Sequence, residues 1–297
     1  MDRLDAMRVL LAVAENGSLS AGARALRSPL PTVSRKISEL EAHLGIRLIT
    51  RTSRKILLTE AGEGYLASAR EILERVEEAE RRASGEYLAP KGDLTMTAPI
   101  VFGRLHVLPV ITDFLKEFPD INMRLTMSDR NVSLADEHID VALRIGYLAE
   151  NNLIAVRLGT VRSTVYASPD YLERHTQPVH PRDLAAHDCV AFEGILSAQS
   201  WSFRAGKEDI SAPIRPRLSV NTAEAAVDAA IAGVGITRVM SYQAKKSVDD
   251  SLLLPIFEEY EQPPSPVQIV HLPQGRLPLK LRAFLDFATP RLRAVLR

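Results

Sequence analysis

Leu19-Ser20-Ala21-Gly22-Ala23-Arg24-Ala25-Leu26, then Arg27-Ser28-Pro29, then Leu30-Pro31-Thr32-Val33-Ser34-Arg35-Lys36-Ile37 run without a break. Ser18 is placed to cap a short helix over 19–26, because its hydroxyl can accept from a free N–H of the first turn. Arg27-Ser28-Pro29 reads as a turn, with Ser28 as a second cap and Pro29 suited to the first helical position. A longer helix follows over 30–44, with Val33, Ile37, Leu40 and Leu44 as its buried stripe and Gly45 closing it. Thr32, Ser34, Arg35 and Lys36 lie near its start and off that stripe. Two helices joined by a tight turn, the second polar and basic at its N-terminal end, describe a helix-turn-helix. Such a second helix lies in the major groove and offers its first residues to base edges.

On the upstream side, Leu4, Met7, Leu10, Leu11 and Ala14 recur at helical spacing, and Asn16-Gly17 ends that helix. Downstream, Leu48-Ile49 and Ile56-Leu57-Leu58 read as short strands around Thr50-Arg51-Thr52-Ser53-Arg54-Lys55. A hairpin with so basic a tip is a wing that reaches phosphates or the minor groove.

The charge pattern agrees only after it is divided. The 297 residues hold 37 Lys plus Arg and 37 Asp plus Glu, so the net charge is zero, which by itself argues against a nucleic-acid partner. Yet residues 24–55 hold eight basic and two acidic residues, a net +6. Residues 70–86 carry −2, and the 23 basic and 24 acidic residues from 91 onward nearly cancel. The apolar share of 46% and charged share of 25% are those of a globular chain and exclude a disordered one. One cysteine, Cys189, excludes an intrachain disulfide and a Cys-pair zinc site. No early apolar run is long enough for a signal peptide and none suits a bilayer span, so the expected location is cytoplasmic, with no membrane partner.

Residues 1–66 resemble the winged helix-turn-helix of the LysR-type transcriptional regulators. The resemblance is carried by residues 18–26, Val33-Ser34-Arg35-Lys36-Ile37, Leu40-Glu41, Leu44-Gly45-x-Arg47-Leu48, Arg51-Thr52 and Leu58-Thr59-Glu60-Ala61-Gly62. One stretch departs from it. Where the family often has a Leu-Ser-Gln type start to the reading helix, Ser28-Pro29-Leu30-Pro31 stands here. A polar base reader is missing at Leu30, whose side chain suits contact with a thymine methyl. The candidate DNA-binding residues are Ser28, Leu30, Pro31, Thr32, Ser34, Arg35, Lys36, Arg51, Arg54 and Lys55.

Residues 59–88 form a long helical segment in which Tyr65, Ala69, Ile72, Val76, Ala79 and Ala83 step by four and three, a heptad seam. Packing on its own domain would produce the same seam; the resemblance implies a dimerising linker helix. Pro90 and Gly92 mark a hinge.

Beyond it, strands over 94–98, 121–127 and 139–145 alternate with helices over 101–118 and 132–137, which implies an α/β fold with parallel strands. Further strands are expected over 164–167, 218–221 and 267–271, with helices over 169–174, 223–232 and 279–295. This portion resembles the effector-binding domain of the same family through Gly92-Asp93-Leu94-Thr95-Met96-Thr97-Ala98-Pro99, Leu108-Pro109, Phe114-Leu115 with Phe118-Pro119, residues 139–146, Ala167-Ser168-Pro169-x-Tyr171-Leu172 and Ala232-Gly233-x-Gly235-Ile236. The resemblance implies two α/β lobes like those of periplasmic binding proteins. The expected division is a DNA-binding domain at 1–60, a linker helix and hinge at 61–90, and an effector-binding domain at 91–297. Its first lobe takes 91–163 and 267–297, its second 164–266.

A ligand belongs between the lobes, near strand ends and helix N-termini, where free N–H groups favour an anion. Pro99, Ile100 and Val101 follow the first strand, Asn221 and Thr222 start a helix, Ser128 follows a strand end and Arg144 lies near another; caps, turns and surface ion pairs would place the same residue types there. Ile100 and Val101 would make the mouth apolar, so the expected effector is a small anion with a hydrophobic part.

Gly62-x-Gly64-x-x-Ala67 matches a loose dinucleotide fingerprint but lacks the strand–turn–helix it needs. His175, His180 and His187 fit no zinc spacing. Cys189 reads as a buried small hydrophobe, and Trp201 is expected to pack in the second lobe. No metal or cofactor is expected. Three classes of function remain: a DNA-binding regulator answering to an effector, a solute sensor whose N-terminal module drives oligomerisation, and an enzyme, for which no nucleophile–base set is found. The first carries the expectation, with double-stranded DNA, a small-molecule effector, a homodimer or homotetramer and RNA polymerase as partners.

Overall fold

Each helix of the N-terminal region starts and stops where its own side chains satisfy backbone groups. In the computed structural model, α1 (Arg3–Glu15) begins on Asp2, whose carboxylate accepts from Leu4 N at 3.0 Å. Ser18 Oγ accepts from Ala21 N at 3.1 Å and starts α2 (Leu19–Ala25). Helix α3 (Leu30–Leu44) stops at Gly45, whose φ of 71° suits a residue without Cβ. Its start differs from expectation. Pro29 is the cap residue and Pro31 sits in the first turn, and no side chain caps the helix. Ser28 instead donates its N–H to Ala23 O, which closes the turn. The chain is described over residues 2–51, 56–83, 89–148, 152–192, 199–274 and 277–296, and it divides into two compact units, Met1–Ala89 and Pro90–Arg297.

Val33, Ile37 and Leu40 of α3 are buried against Ala6, Val9, Leu10 and Val13 of α1. Helix α1 thus has two apolar faces. The stripe holding Leu4, Met7 and Leu11 packs elsewhere, on α4 (Glu60–Ala83), which follows the strands β1 (Ile49–Arg51) and β2 (Ile56–Leu58). Gly22 allows α1 and α2 to touch, since a Cβ there would lie 2.7 Å from Val13 Cγ2.

The C-terminal unit opens with β3 (Gly92–Ala98), the turn α5 (Ile100–Phe102), a π-helical turn at Gly103–Val107, α6 (Leu108–Glu117), β4 (Ile121–Met127), β5 (Val141–Ile145) and β6 (Ile154–Val161). The chain then crosses into a second lobe. There lie β7 (Ser163–Ala167), α7 (Pro169–Arg174), β8 (Asp188–Phe192), β9 (Ser200–Ala205), β10 (Glu208–Pro213), β11 (Arg215–Val220), α8 (Ala223–Ile231), β12 (Ile236–Met240), α9 (Ser241–Asp249) and β13 (Leu254–Ile256). It returns to the first lobe with β14 (Ser265–His271) and α10 (Leu279–Val295). The two five-stranded sheets have the orders β4-β3-β5-β14-β6 and β11-β8-β12-β7-β13. The α/β class and two-lobed architecture are therefore those expected from the sequence.

Three details depart from expectation. The sheets are mixed: β3 runs parallel to β4 and β5, but β14 runs antiparallel to both β5 and β6. A parallel neighbour needs a crossover on the same sheet, whereas β14 arrives from the other lobe. Residues 132–137 form no helix. Glu137 N donates to Ser133 O, His138 N to Ala135 O and Ile139 N to Leu134 O, a run of turns rather than a helix, which His138, at φ 51°, ends. The helix expected over 101–118 is broken by the π-helical turn, where Gly103 lies so close to β4 that a Cβ would meet Met127 Cγ at 3.0 Å.

Candidate nucleic-acid interface and ligand pocket

The buried stripe of α3 fixes which of its side chains face outward. Leu30 is 42% exposed, Pro31 is exposed, and Thr32 and Ser34 are half-buried beside them. The two cations of this helix each meet a carboxylate. Arg35 Nη1 lies 2.6 Å from Glu39 Oε1 on the same helix, and Lys36 Nζ lies 2.5 Å from Asp5 Oδ2 on α1. Asp2, Asp5, Arg35, Lys36, Glu39 and His43 line an open groove there.

The wing is fastened at its base. Glu41 Oε1 accepts from Leu48 N at 2.8 Å and Ile49 N at 3.1 Å, so α3 sets where β1 begins. Thr59 donates its hydroxyl to Arg47 O and accepts from Gly62 N, tying β2 to the start of α4. Gly62 is required there, because a Cβ would stand 2.0 Å from Leu48 O. Strands β1 and β2 pair antiparallel with Ile49 opposite Leu58. Of the expected wing residues, Arg54 and Lys55 lie outside the described residues, as does the side chain of Arg51. Leu57, 55% exposed on β2, is a wing residue that the sequence reading did not single out.

The heptad seam splits. Tyr65 and Ala69 pack with Leu73 against Met7, Leu4 and Leu11 of α1, which corrects their assignment to a dimer face. The cause is the second apolar stripe of α1, which offers them an internal partner. Arg70 reinforces this contact through Glu15 at 2.8 Å. Ile72 is 41% exposed, Val76 half-buried and Ala79 exposed; the side chain of Ala83 lies outside the described residues.

In the first lobe a cavity of about 190 Å³ opens where β3, β4 and β5 end, the usual ligand position of such sheets. It brings together three of the expected residues, Pro99, Ser128 and Arg144, with Thr97, Asp129, Arg130, Asn131 and Val132. The fold shapes it through short backbone bonds. Ser128 N donates to Ala98 O at 2.9 Å, and Arg130 N donates to Ser128 Oγ at 3.2 Å. Arg144 donates to the carbonyl of Val132. Ile100 is not among the residues that line the cavity; its backbone N–H donates to Asp129 Oδ1 at 3.1 Å. Val101 does not line the cavity. It is 2% exposed and packs with Tyr166, Val190 and Ala226 of the second lobe, because the turn of α5 directs it into that core. Asn221 and Thr222 also lie outside the cavity lining; Thr222 Oγ1 accepts from Ala225 N and caps α8.

Asp129 is the residue that sequence reading missed here, although the polar run Ser128-Asp129-Arg130-Asn131 just past a strand was the available signal. Burial pushes its carboxyl up, the Ile100 N–H offsets part of this, and Glu224 of the second lobe raises it further. Among the described residues, Asp129 Oδ2 and Glu224 Oε2 are buried with no hydrogen-bond partner. Tyr242, also raised by burial, senses both carboxylates.

The remaining candidates are structural. Cys189 is buried, and its thiol is pushed up to about 12 by burial. Tyr171 OH lies 3.2 Å from His187 Nδ1 while His175 stacks on the Tyr171 ring at 4.1 Å. Trp201, on β9, is buried in the second-lobe core. No described helix is long and apolar enough to cross a membrane.

A family model described as "Bacterial regulatory helix-turn-helix protein, lysR family" matches residues 4–63. A second, described as "LysR substrate binding domain", matches residues 89–293. A transcriptional regulator of helix-turn-helix type from Xanthomonas campestris pv. campestris (strain 8004) is 33% identical, covering 96% of this chain and 84% of its own. Among solved structures, the full-length virulence activator AphB of Vibrio cholerae is 28% identical with a TM-score of 0.60, covering 96% of this chain and 98% of that one. The regulator CrgA of Neisseria meningitidis is 29% identical with a TM-score of 0.61, covering 97% and 98%.

Proposed function

Because the chain belongs to the LysR family of transcriptional regulators, we propose how its parts divide the work. It is a DNA-binding regulator whose activity answers to a small-molecule effector taken up by the two-lobed domain. Residues 1–60 read DNA, 61–90 link and dimerise, and 91–297 sense the effector. Ser28, Leu30, Pro31, Thr32, Ser34 and Arg35 meet the major groove, Lys36 approaches from the flank, and Arg51, Arg54 and Lys55 reach phosphates from the wing. The chain works as a homodimer or homotetramer in the cytoplasm, with RNA polymerase as a further partner and no catalysis of its own. Ile72 and Ala79, exposed on α4, and the half-buried Val76 form the dimer face.

The observation that carries the DNA assignment is the α3 stripe of Val33, Ile37 and Leu40, buried so completely that Arg35 on the opposite face must point outward, while Leu30 is exposed at the first turn of the helix. Phosphate contacts supply much of the affinity, so binding weakens steeply with salt. The test is fluorescence anisotropy on the intergenic DNA flanking the protein's own gene. Arg35→Ala is expected to lower specific affinity about tenfold or more with melting and oligomeric state unchanged. Equal affinity would remove Arg35 from the interface.

The effector pocket is the cavity lined by Ser128, Asp129, Arg130 and Arg144. Its ligand is a small molecule whose anionic group meets Ser128 and the two arginines, and whose other part offers a hydrogen-bond donor to Asp129. The ligand acts by favouring one arrangement of the assembly over another. Calorimetric titration with a metabolite panel, repeated on Arg144→Ala, tests this; a ligand bound equally well by the variant would place the anion elsewhere.

A further inference from the structure

We propose that Glu39 is a positioning residue for base readout: it holds the Arg35 guanidinium in one plane so that the remaining edge reads a single guanine. This rests on the assignment of α3 as the reading helix.

The two residues stand one turn apart on the outward face of α3, with Arg35 Nη1 donating to Glu39 Oε1 at 2.6 Å. Their side chains are 64% and 38% exposed, so the pair faces solvent rather than the core. Helix stability does not account for it. The cation precedes the anion, the weaker order for a pair spaced four apart and the reverse of what the helix dipole favours. An exposed pair of this kind adds little to folding and costs side-chain freedom. Held in one orientation, however, that same side chain loses less entropy when it docks.

The chemistry of guanine fits what remains free. Its O6 and N7 are two acceptors side by side, matched by two parallel N–H groups of one guanidinium. Arg35 has five N–H donors, and Glu39 occupies the Nη1 side, which leaves the Nε and Nη2 edge. Lys36 does not compete for Glu39, because its ammonium lies 2.5 Å from Asp5 of α1. The two adjacent cations therefore have separate anions and separate tasks. The Glu39 carboxylate also repels phosphate oxygens near Arg35. It thus weakens attraction to DNA of any sequence while sharpening the response to one base.

The test uses the full-length protein and duplexes enriched by it from a randomised pool. Anisotropy is then measured on the enriched duplex, on every single base-pair change of it, and on a scrambled duplex. Arg35→Ala identifies the base pair read by Arg35. Glu39→Ala is expected to lose about tenfold of the guanine preference at that same position, with affinity for the scrambled duplex equal or higher. Glu39→Gln, which keeps an acceptor at the same reach, retains part of that preference. Asp5→Asn removes an equal charge from the neighbouring pair and leaves the base profile unchanged. Full guanine preference in Glu39→Ala would overturn the proposal, as would an even loss at all positions. If Arg35→Ala alters no position, the assignment of Arg35 fails and the role of Glu39 with it. If the wild-type chain enriches no sequence, the reading of α3 itself fails.

Discussion

The N-terminal and C-terminal units bury different kinds of side chain. In the first, every buried side chain among the described residues is apolar, aliphatic or methionine, and its polar groups act at the surface as caps, wing fasteners and ion pairs. In the second, Thr97, Thr164, Ser168, His187, Thr237, Arg238 and His271 are all buried. Its first lobe also has an aromatic core in which Phe114 lies 5.2 Å from Phe284 and 5.4 Å from Phe287. A reader of DNA needs a rigid scaffold with its chemistry outside, whereas a ligand sensor needs polar groups inside that can change partners. Arg238 illustrates the second case. Its buried guanidinium, pushed down to about 10 by burial, donates to Ser163 Oγ and Ser202 O and lies over the Phe203 ring.

The largest effect is expected from opening the aromatic core. Phe114→Ala should cost about 3–5 kcal/mol in the C-terminal unit, and Leu10→Ala about 2–5 kcal/mol in the N-terminal one. Because the units are distinct, chemical denaturation followed by probes in each should show each loss in its own unit only. A matching loss in both would show that they melt together.

Next in size is Gly62→Ala. Its new methyl would meet the Leu48 carbonyl, so the base of the wing must shift, at about 1–3 kcal/mol. DNA affinity should fall while effector affinity stays level. Loss of both would break the contrast between the units.

A smaller effect separates them by pH. Burial holds the His187 imidazole below its ordinary 6.5, with His175 adding to the effect. The unfolded chain therefore binds the proton more readily than the folded one. The stability contributed by neutral His187 is full above the ordinary histidine range and is lost as pH falls through and below it. Melting of the C-terminal unit between pH 7.5 and about 5.5 should drop in wild type and flatten in His187→Gln. An equal drop in both would assign the pH response to other groups.

The smallest effects compare two helix caps. Ser18→Ala and Thr222→Ala should each cost about 1 kcal/mol. If Thr222 is a cap alone, its variant keeps full effector affinity in a calorimetric titration. A lost response would return Thr222 to the ligand site.

The contrast also explains what could be read from sequence. The N-terminal unit is built from helices whose ends and stripes are local patterns, so α2, α3 and the strand pair β1–β2 were legible, and so was the outward position of Arg35. What was hidden there was tertiary: that α1 has two apolar faces, and that the second takes Tyr65 and Ala69 from the linker seam. In the C-terminal unit β3, β4, α7 and α10 were legible from alternation and periodicity. Strand β6 was not, since its partner β14 lies far away in sequence, and the hairpin β9–β10 was not either, although its two strands are sequence neighbours that pair with each other. The first-lobe cavity was half legible. Pro99 and Ser128 follow strand ends and Arg144 lies near the end of β5, but Val101 is buried in the second-lobe core, and Asp129 becomes notable only once its burial is known.

The return of β14 to the first lobe bears on the order in which the chain can be completed. Among the described strands β6 pairs only with β14, and β14 also covers one edge of β5. During synthesis the second lobe has all its strands once residue 256 has emerged, while the first lobe must wait for residues 265–271 with two strand edges open. Open edges invite pairing with other chains, and long-range pairing is slow to form. A ribosome that stops between residues 256 and 265 would therefore release a chain with one finished lobe and one adhesive sheet.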